Sequence, residues 1–323
     1  MVIDIVIFSA GLLLLSFGAK WLVDGASAIT LGFGIRPVIV GMSVVAFGTS
    51  MPEFVFNIAA TMNNSSDLGL GNIVGSNIAN IALVLGVSSL IKPLEINQKV
   101  VKKELPITIA VTLLFLFMAL DGQISSIDGG ILVFLFGLFF IYLIKNGQEY
   151  SEDLDIDIDL DEQVSPDIEL TPKNLTKDIV LIIVGLVGLI GGAQLMVNSS
   201  INIAKVFNIS ELVIGVTIVA IGTSLPELAA SVVSSFKAEG DISLGNVLGS
   251  NIFNILMVIG FLSLFSPVLA QGEFTISLHF TFMVALTLLI WPILKFSAKI
   301  TRVHGVFLIA VYLVYMYLSY TFV

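Results

Sequence analysis

The chain has 323 residues, of which 57% are apolar and only 12% charged, and its mean hydropathy is +1.05. A soluble domain carries about 25% charged residues, so this composition excludes a soluble globular chain and describes an integral membrane protein. The net charge of −10 and the lack of a basic surface argue against a nucleic-acid partner, and the absence of cysteine excludes disulfides, thiolate metal sites and a Cys nucleophile.

A hydrocarbon core of about 30 Å needs ~20 apolar residues per helix. That ruler predicts about ten spans, at 2–19, 37–61, 68–91, 105–120, 127–144, 179–197, 211–236, 242–265, 275–294 and 303–322. The runs are uniformly apolar, without the alternation of a membrane barrel, so they are expected to be helices. The first run carries Asp4 instead of a basic leader and is expected to be a retained helix. With the N-terminus outside, thirteen of the fourteen basic residues fall in inner loops and only Lys205 falls outside. The positive-inside rule then predicts that both termini lie outside, and the multi-pass chain is expected in the cell (plasma) membrane. Ten of the 24 acids lie between Glu149 and Glu169, in a segment expected to be cytoplasmic.

A shift of 174 residues lays the second half on the first. Gly41–Glu53 (GMSVVAFGTSMPE) falls on Gly215–Glu227 (GVTIVAIGTSLPE), and Gly71–Ile81 (GNIVGSNIANI) on Gly245–Ile255 (GNVLGSNIFNI). Five spans per half is an odd number, so the halves cross in opposite senses. The expected fold is therefore an all-α integral membrane protein of about ten transmembrane helices arranged as two inverted five-helix repeats. Residues 1–145 form the first, 146–177 the acidic linker and 178–323 the second. Many secondary transporters have this design, with the ion site near the midplane where the halves meet.

Glu53 and Glu227 are the clear mid-span acids, and they are repeat equivalents. A charge at that depth costs about 2.5–3.5 kcal/mol on insertion scales, which a fold alone has no reason to bear twice. Thr49, Ser50 and Pro52 accompany Glu53; Thr223, Ser224 and Pro226 accompany Glu227. Threonine and glutamate four apart share a helix face, and the proline breaks the helix and frees carbonyls. Such carbonyls, hydroxyls and carboxylates are hard oxygen ligands of the kind calcium takes. Ser76 with Asn80, and Ser250 with Asn254, repeat the four-residue spacing and are expected to coordinate ions. Asn72 and Asn246 are expected to hydrogen-bond between helices; Asn77 and Asn251 add further amides.

The paired segments AFGTSMPE with GNIVGSNIAN, and AIGTSLPE with GNVLGSNIFN, resemble the α-repeats of the calcium/cation antiporter superfamily, and above all its prokaryotic sodium/calcium exchangers. The resemblance implies direct calcium binding by Glu53 and Glu227. It implies that Thr49, Ser50, Thr223, Ser224, Ser76 and Ser250, with the carbonyls of Ala46 and Ala220, complete the calcium and sodium sites, and that Asn80 and Asn254 line a central position. Exchangers of this type carry an aspartate where this chain has Asn254, and so does the potassium-dependent branch, which counts against potassium coupling.

The expected function is a secondary antiporter exchanging Ca2+ for Na+ by alternating access, with a Ca2+/H+ antiporter of the same fold as the alternative. An intramembrane hydrolase built on Ser50 or Ser224 is disfavoured, because those helices hold no histidine or lysine to act as base. No enzyme activity, cofactor or protein partner is expected; the partners are the transported inorganic cations and the lipid bilayer. Asp153–Asp161 lacks the glycine and glutamate of an EF-hand and is expected to be a solvated linker. His279, His304, Trp21 and Trp291 are expected near the membrane interfaces.

Overall fold

A computed structural model describes residues 2–62, 66–147, 172–207, 220–270 and 275–322. The acidic run at Asp153–Asp161, and most of the linker with it, lies outside the described residues, as does the start of the 211–236 span.

The first half contains α1 (Val2–Phe33), α2 (Pro37–Met62), α3 (Gly69–Ile91), the short α4 (Gln98–Lys102), α5 (Glu104–Ala119) and α6 (Ser126–Asn146). The second contains α7 (Pro172–Val206), α8 (described as Ala220–Thr223 and Leu225–Phe236), α9 (Gly240–Phe265), α10 (Leu278–Ser297) and α11 (Arg302–Phe322). Eight helices among the described residues are long and apolar enough to cross a membrane. The 16-residue α5 and the described part of α8 lie among them.

Two helices are much longer than the predicted spans. At 1.5 Å per residue α1 runs ~48 Å and α7 ~52 Å, against a hydrocarbon core of about 30 Å, so each is longer than an upright crossing of that core requires. Lys20, expected in the first inner loop, instead lies inside α1 and is exposed. The expected linker end at 177 likewise falls inside α7. The two helices pack antiparallel through small residues. A Cβ on Gly18 would come within 2.5 Å of Leu189 N and 2.8 Å of Gly185 O, and one on Gly11 within 2.9 Å of Gly192 O. The shift of 174 exchanges these two contacts, so the seam has the approximate two-fold relation of the repeat. Leu15, Ala19, Leu22 and Ala26 meet Ile182, Leu189, Ala193 and Met196 there in an apolar cluster of their own. The larger cluster is built chiefly from α3, α5, α6, α9, α10 and α11.

Four two-residue strands stitch the halves together. β1 (Leu94–Glu95) pairs antiparallel with β4 (Lys299–Ile300), and β2 (Gln123–Ile124) with β3 (Val268–Leu269). Each ribbon takes one strand from each half. The segments flanking β1 and β4 carry Lys92, Lys99, Lys102, Lys103, Lys295, Lys299 and Arg302, half of the fourteen basic residues, and Arg302 donates to the Leu90 and Ile91 carbonyls. Glu95 pairs with Lys299 at 2.7 Å, and Asp241 accepts the Asn97 N–H at 2.9 Å. At other helix ends of this side Lys237 pairs with Asp24, and Arg36 forks onto Glu104 at 2.7 and 3.2 Å with the Tyr142 hydroxyl donating to the same carboxylate at 3.0 Å. Glu239, in the turn before α9, accepts from Ser27 at 2.6 Å, and burial raises its carboxyl above the ordinary range.

Candidate cation-binding site

The site forms where α2, α3, α8 and α9 meet. Helix α2 stops at Ser50 (φ −85°, ψ 3°) and restarts at Met51; α8 stops at Ser224 (φ −89°, ψ 5°) and restarts at Leu225. Pro52 and Pro226 thus occupy the first turn of the new helix, where a missing N–H costs nothing. Each break sits one turn before its glutamate. Helices α3 and α9 change to π-turns at Asn80–Val84 and Asn254–Ile259, a local rewinding often found at functional positions.

These breaks bring the halves together. Ser50 Oγ donates to Glu227 Oε1 at 3.0 Å, and Ser76 Oγ lies 3.4 Å from Glu53 Oε1. Thr49 donates to Asn246 Oδ1 at 3.1 Å, mirrored by Asn72 Nδ2 on Thr223 Oγ1 at 3.4 Å. The Ala46 carbonyl accepts the Ser50 N–H at 3.0 Å and faces the Thr49 hydroxyl at 3.4 Å. Ala220 opens the described part of α8. Asn80 donates to Asn251 Oδ1 and Asn254 to Asn77 Oδ1, both at 3.0 Å.

Thr49, Ser50, Glu53, Ser76, Asn80, Ser224, Glu227, Ser250 and Asn254 are all buried. Several of their oxygens have no partner: Glu53 Oε2, Glu227 Oε2, Asn80 Oδ1, Asn254 Oδ1, Ser224 Oγ and Ser250 Oγ. Leaving one such atom unsatisfied costs about 1–3 kcal/mol, more for a charged group. No lysine, arginine or histidine occurs in 37–91, 220–236 or 238–265 to neutralise the two carboxylates from within these helices. Among the described residues there is no cluster of three or more His, Asp or Glu. The donor set is thus two carboxylates with hydroxyl and amide oxygens, which suits a hard cation.

Asn57 and Ser231 escape the motif reading. Asn57 donates to the Glu53 carbonyl at 2.8 Å and to Asn72 Oδ1 at 2.9 Å. In the other half Asn246 donates to the Glu227 carbonyl at 3.2 Å and to Ser231 Oγ at 3.0 Å. Asn72 and Asn246 therefore join helices, in the way expected of them. The signal was a polar residue four positions after each glutamate. His279 is not simply interfacial: its Nδ1 lies 3.0 Å from the Tyr315 hydroxyl, in a half-buried contact between α10 and α11.

Fold and site together define a multi-pass membrane protein of inverted-repeat design, with buried oxygens from both halves, two of them carboxylates, gathered at its centre. Residues 3–145 and 177–321 match the sodium/calcium exchanger protein family, to which the chain belongs. The putative antiporter CaxA of Alkalimonas amylolytica is 35% identical over 99% of this chain and 100% of its own length. The sodium/calcium exchanger MaX1 of Methanosarcina acetivorans is 29% identical over 97% of each chain. Among solved structures, the sodium-calcium exchanger NCX_Mj soaked with 10 mM Na+ and zero Ca2+ superposes with a TM-score of 0.84 at 32% identity, covering 97% of this chain and 98% of that one.

Proposed function

We propose that this protein is a secondary antiporter that exchanges calcium for sodium by alternating access at the centre of its inverted repeat. Glu53 and Glu227 bind calcium directly. Thr49, Ser50, Ser76, Thr223, Ser224 and Ser250, with the Ala46 and Ala220 carbonyls, complete the calcium and sodium sites, and Asn80 and Asn254 line the central position. The chain sits in the cell membrane with its termini outside and residues 146–177 on the inner side; the gathering of basic helix ends around the β1–β4 ribbon supports that orientation.

The observation that carries the proposal is the contact between halves at the carboxylates, Ser50 of one on Glu227 of the other at 3.0 Å. A cation held there touches both halves, so rocking one against the other exposes it to alternate sides. Two carboxylates in a low-dielectric setting match one divalent ion, and sodium competes for the same oxygens.

The test is labelled-calcium uptake into vesicles of the purified chain. An outward sodium gradient should drive uptake, and equalising sodium should abolish it. Uptake that follows a pH step and ignores sodium would contradict the proposal.

A further inference from the structure

We infer that Asn77 and Asn251 are positioning residues, each orienting the ligand amide of the opposite half so that only its oxygen faces the cation. The inference rests on the proposed cation exchange and deepens it.

Asn77, Asn80, Asn251 and Asn254 are all at most 1% exposed. Asn251 Nδ2 donates to the Asn77 backbone carbonyl at 3.2 Å, and Asn77 Nδ2 to the Asn251 carbonyl at 3.4 Å. A backbone carbonyl only accepts, so each of these amides turns its nitrogen, not its oxygen, toward it; Asn77 Nδ2 also reaches Met283 Sδ at 4.0 Å. The amide oxygens then turn toward the neighbouring asparagines. Asn77 Oδ1 accepts from Asn254 and Asn251 Oδ1 from Asn80, both at 3.0 Å. With their nitrogens held in this way, Asn80 and Asn254 keep a single unpartnered, buried atom each, the amide oxygen.

That remainder separates positioning from simple helix adhesion. An adhesive network leaves no reason for the same atom to stay free at both repeat-equivalent ligands. An unrestrained amide can present either its oxygen or its NH2 group to an ion, and the NH2 group repels a cation. The ring forbids that flip. It also crosses between halves: Asn77 acts on Asn254, not on Asn80 of its own helix. Both anchoring carbonyls lie one turn before the π-turns that begin at Asn80 and Asn254, so the rewinding and the ring form one local structure.

The crossing pattern gives a test that a general loss of stability would not reproduce. Half-saturating calcium and sodium concentrations are measured by exchange in vesicles for Asn77→Ala, Asn80→Ala, Asn251→Ala and Asn254→Ala, and for the double variants. Removing Asn77 or Asn251 should weaken ion binding about 3- to 10-fold with little change in maximal rate. Asn77→Ala with Asn254→Ala, and Asn251→Ala with Asn80→Ala, should be no worse than the larger single effect. Asn77→Ala with Asn80→Ala should show the product of the single effects. Multiplying effects in the cross-half pairs, or equal coupling within halves, would overturn the inference. If the alanine variants do not fold, serine at the same positions is read the same way; loss of folded protein in both sets would also overturn it, since positioning predicts folded protein with weakened ions. Absence of sodium-dependent flux in the unsubstituted chain would instead refute the proposed function.

Discussion

Glu53 and Glu227 are carboxyl groups inside apolar helices that carry no base of their own, and each keeps one carboxyl oxygen unpartnered. Replacing either with glutamine keeps size and most hydrogen bonding while removing half of the site charge, in surroundings where that charge counts most. Glu53→Gln and Glu227→Gln should each insert normally and lose measurable calcium uptake; wild-type flux in either would remove that residue from the site. Asn57→Ala deletes the amide that supports the Glu53 carbonyl and Asn72. At about 1 kcal/mol for such bonds, its half-saturating calcium concentration should rise about fivefold, read from uptake against calcium concentration. The motif residues were legible in the sequence because the repeat prints them twice. Asn57 was not, because its repeat equivalent is Ser231, and a comparison of halves passes over an unlike pair. The contacts across halves, such as Thr49 with Asn246, were not legible either, since spacing along one helix says nothing of which helix faces it.

Among the elements, spans and their order were legible, but their lengths were not. Lys20 and Asp24 end the apolar run of α1 on paper, yet the helix continues to Phe33, with Lys20 exposed on its flank and Asp24 paired to Lys237. The two-residue strands leave no alternation to detect. The glycine seam of α1 and α7 leads to a stability prediction. Leucine at Gly18 or Gly192 must drive the backbones apart, and overpacking of this kind costs about 1–3 kcal/mol or more. Both variants should lower the unfolding midpoint of purified protein by several degrees, whereas Gly137→Leu, where an added Cβ meets nothing within 4 Å, should leave it unchanged. Equal midpoints for all three would mean the seam is not close-packed. The family match omits residues 146–176, so deleting 151–169 should leave sodium-driven exchange intact; loss of flux from folded protein would give the acidic segment a role in transport.

At the scale of the whole molecule, the proposal has an electrical consequence. The candidate site contributes two carboxylates, while Asn80 and Asn254 cannot ionise. One calcium brings it to zero, two protons also bring it to zero, and three sodium ions bring it to +1. Exchange against three sodium ions therefore moves one net charge per cycle, worth about 2.3 kcal/mol across 100 mV; exchange against two protons moves none. The most direct measurement is calcium flux in vesicles at membrane potentials set with valinomycin, under a fixed sodium gradient. Calcium uptake driven by outgoing sodium carries net positive charge outward, so an inside-positive potential should accelerate it and an inside-negative one should slow it. Calcium flux indifferent to both the potential and sodium, and driven by a pH step, would contradict the account.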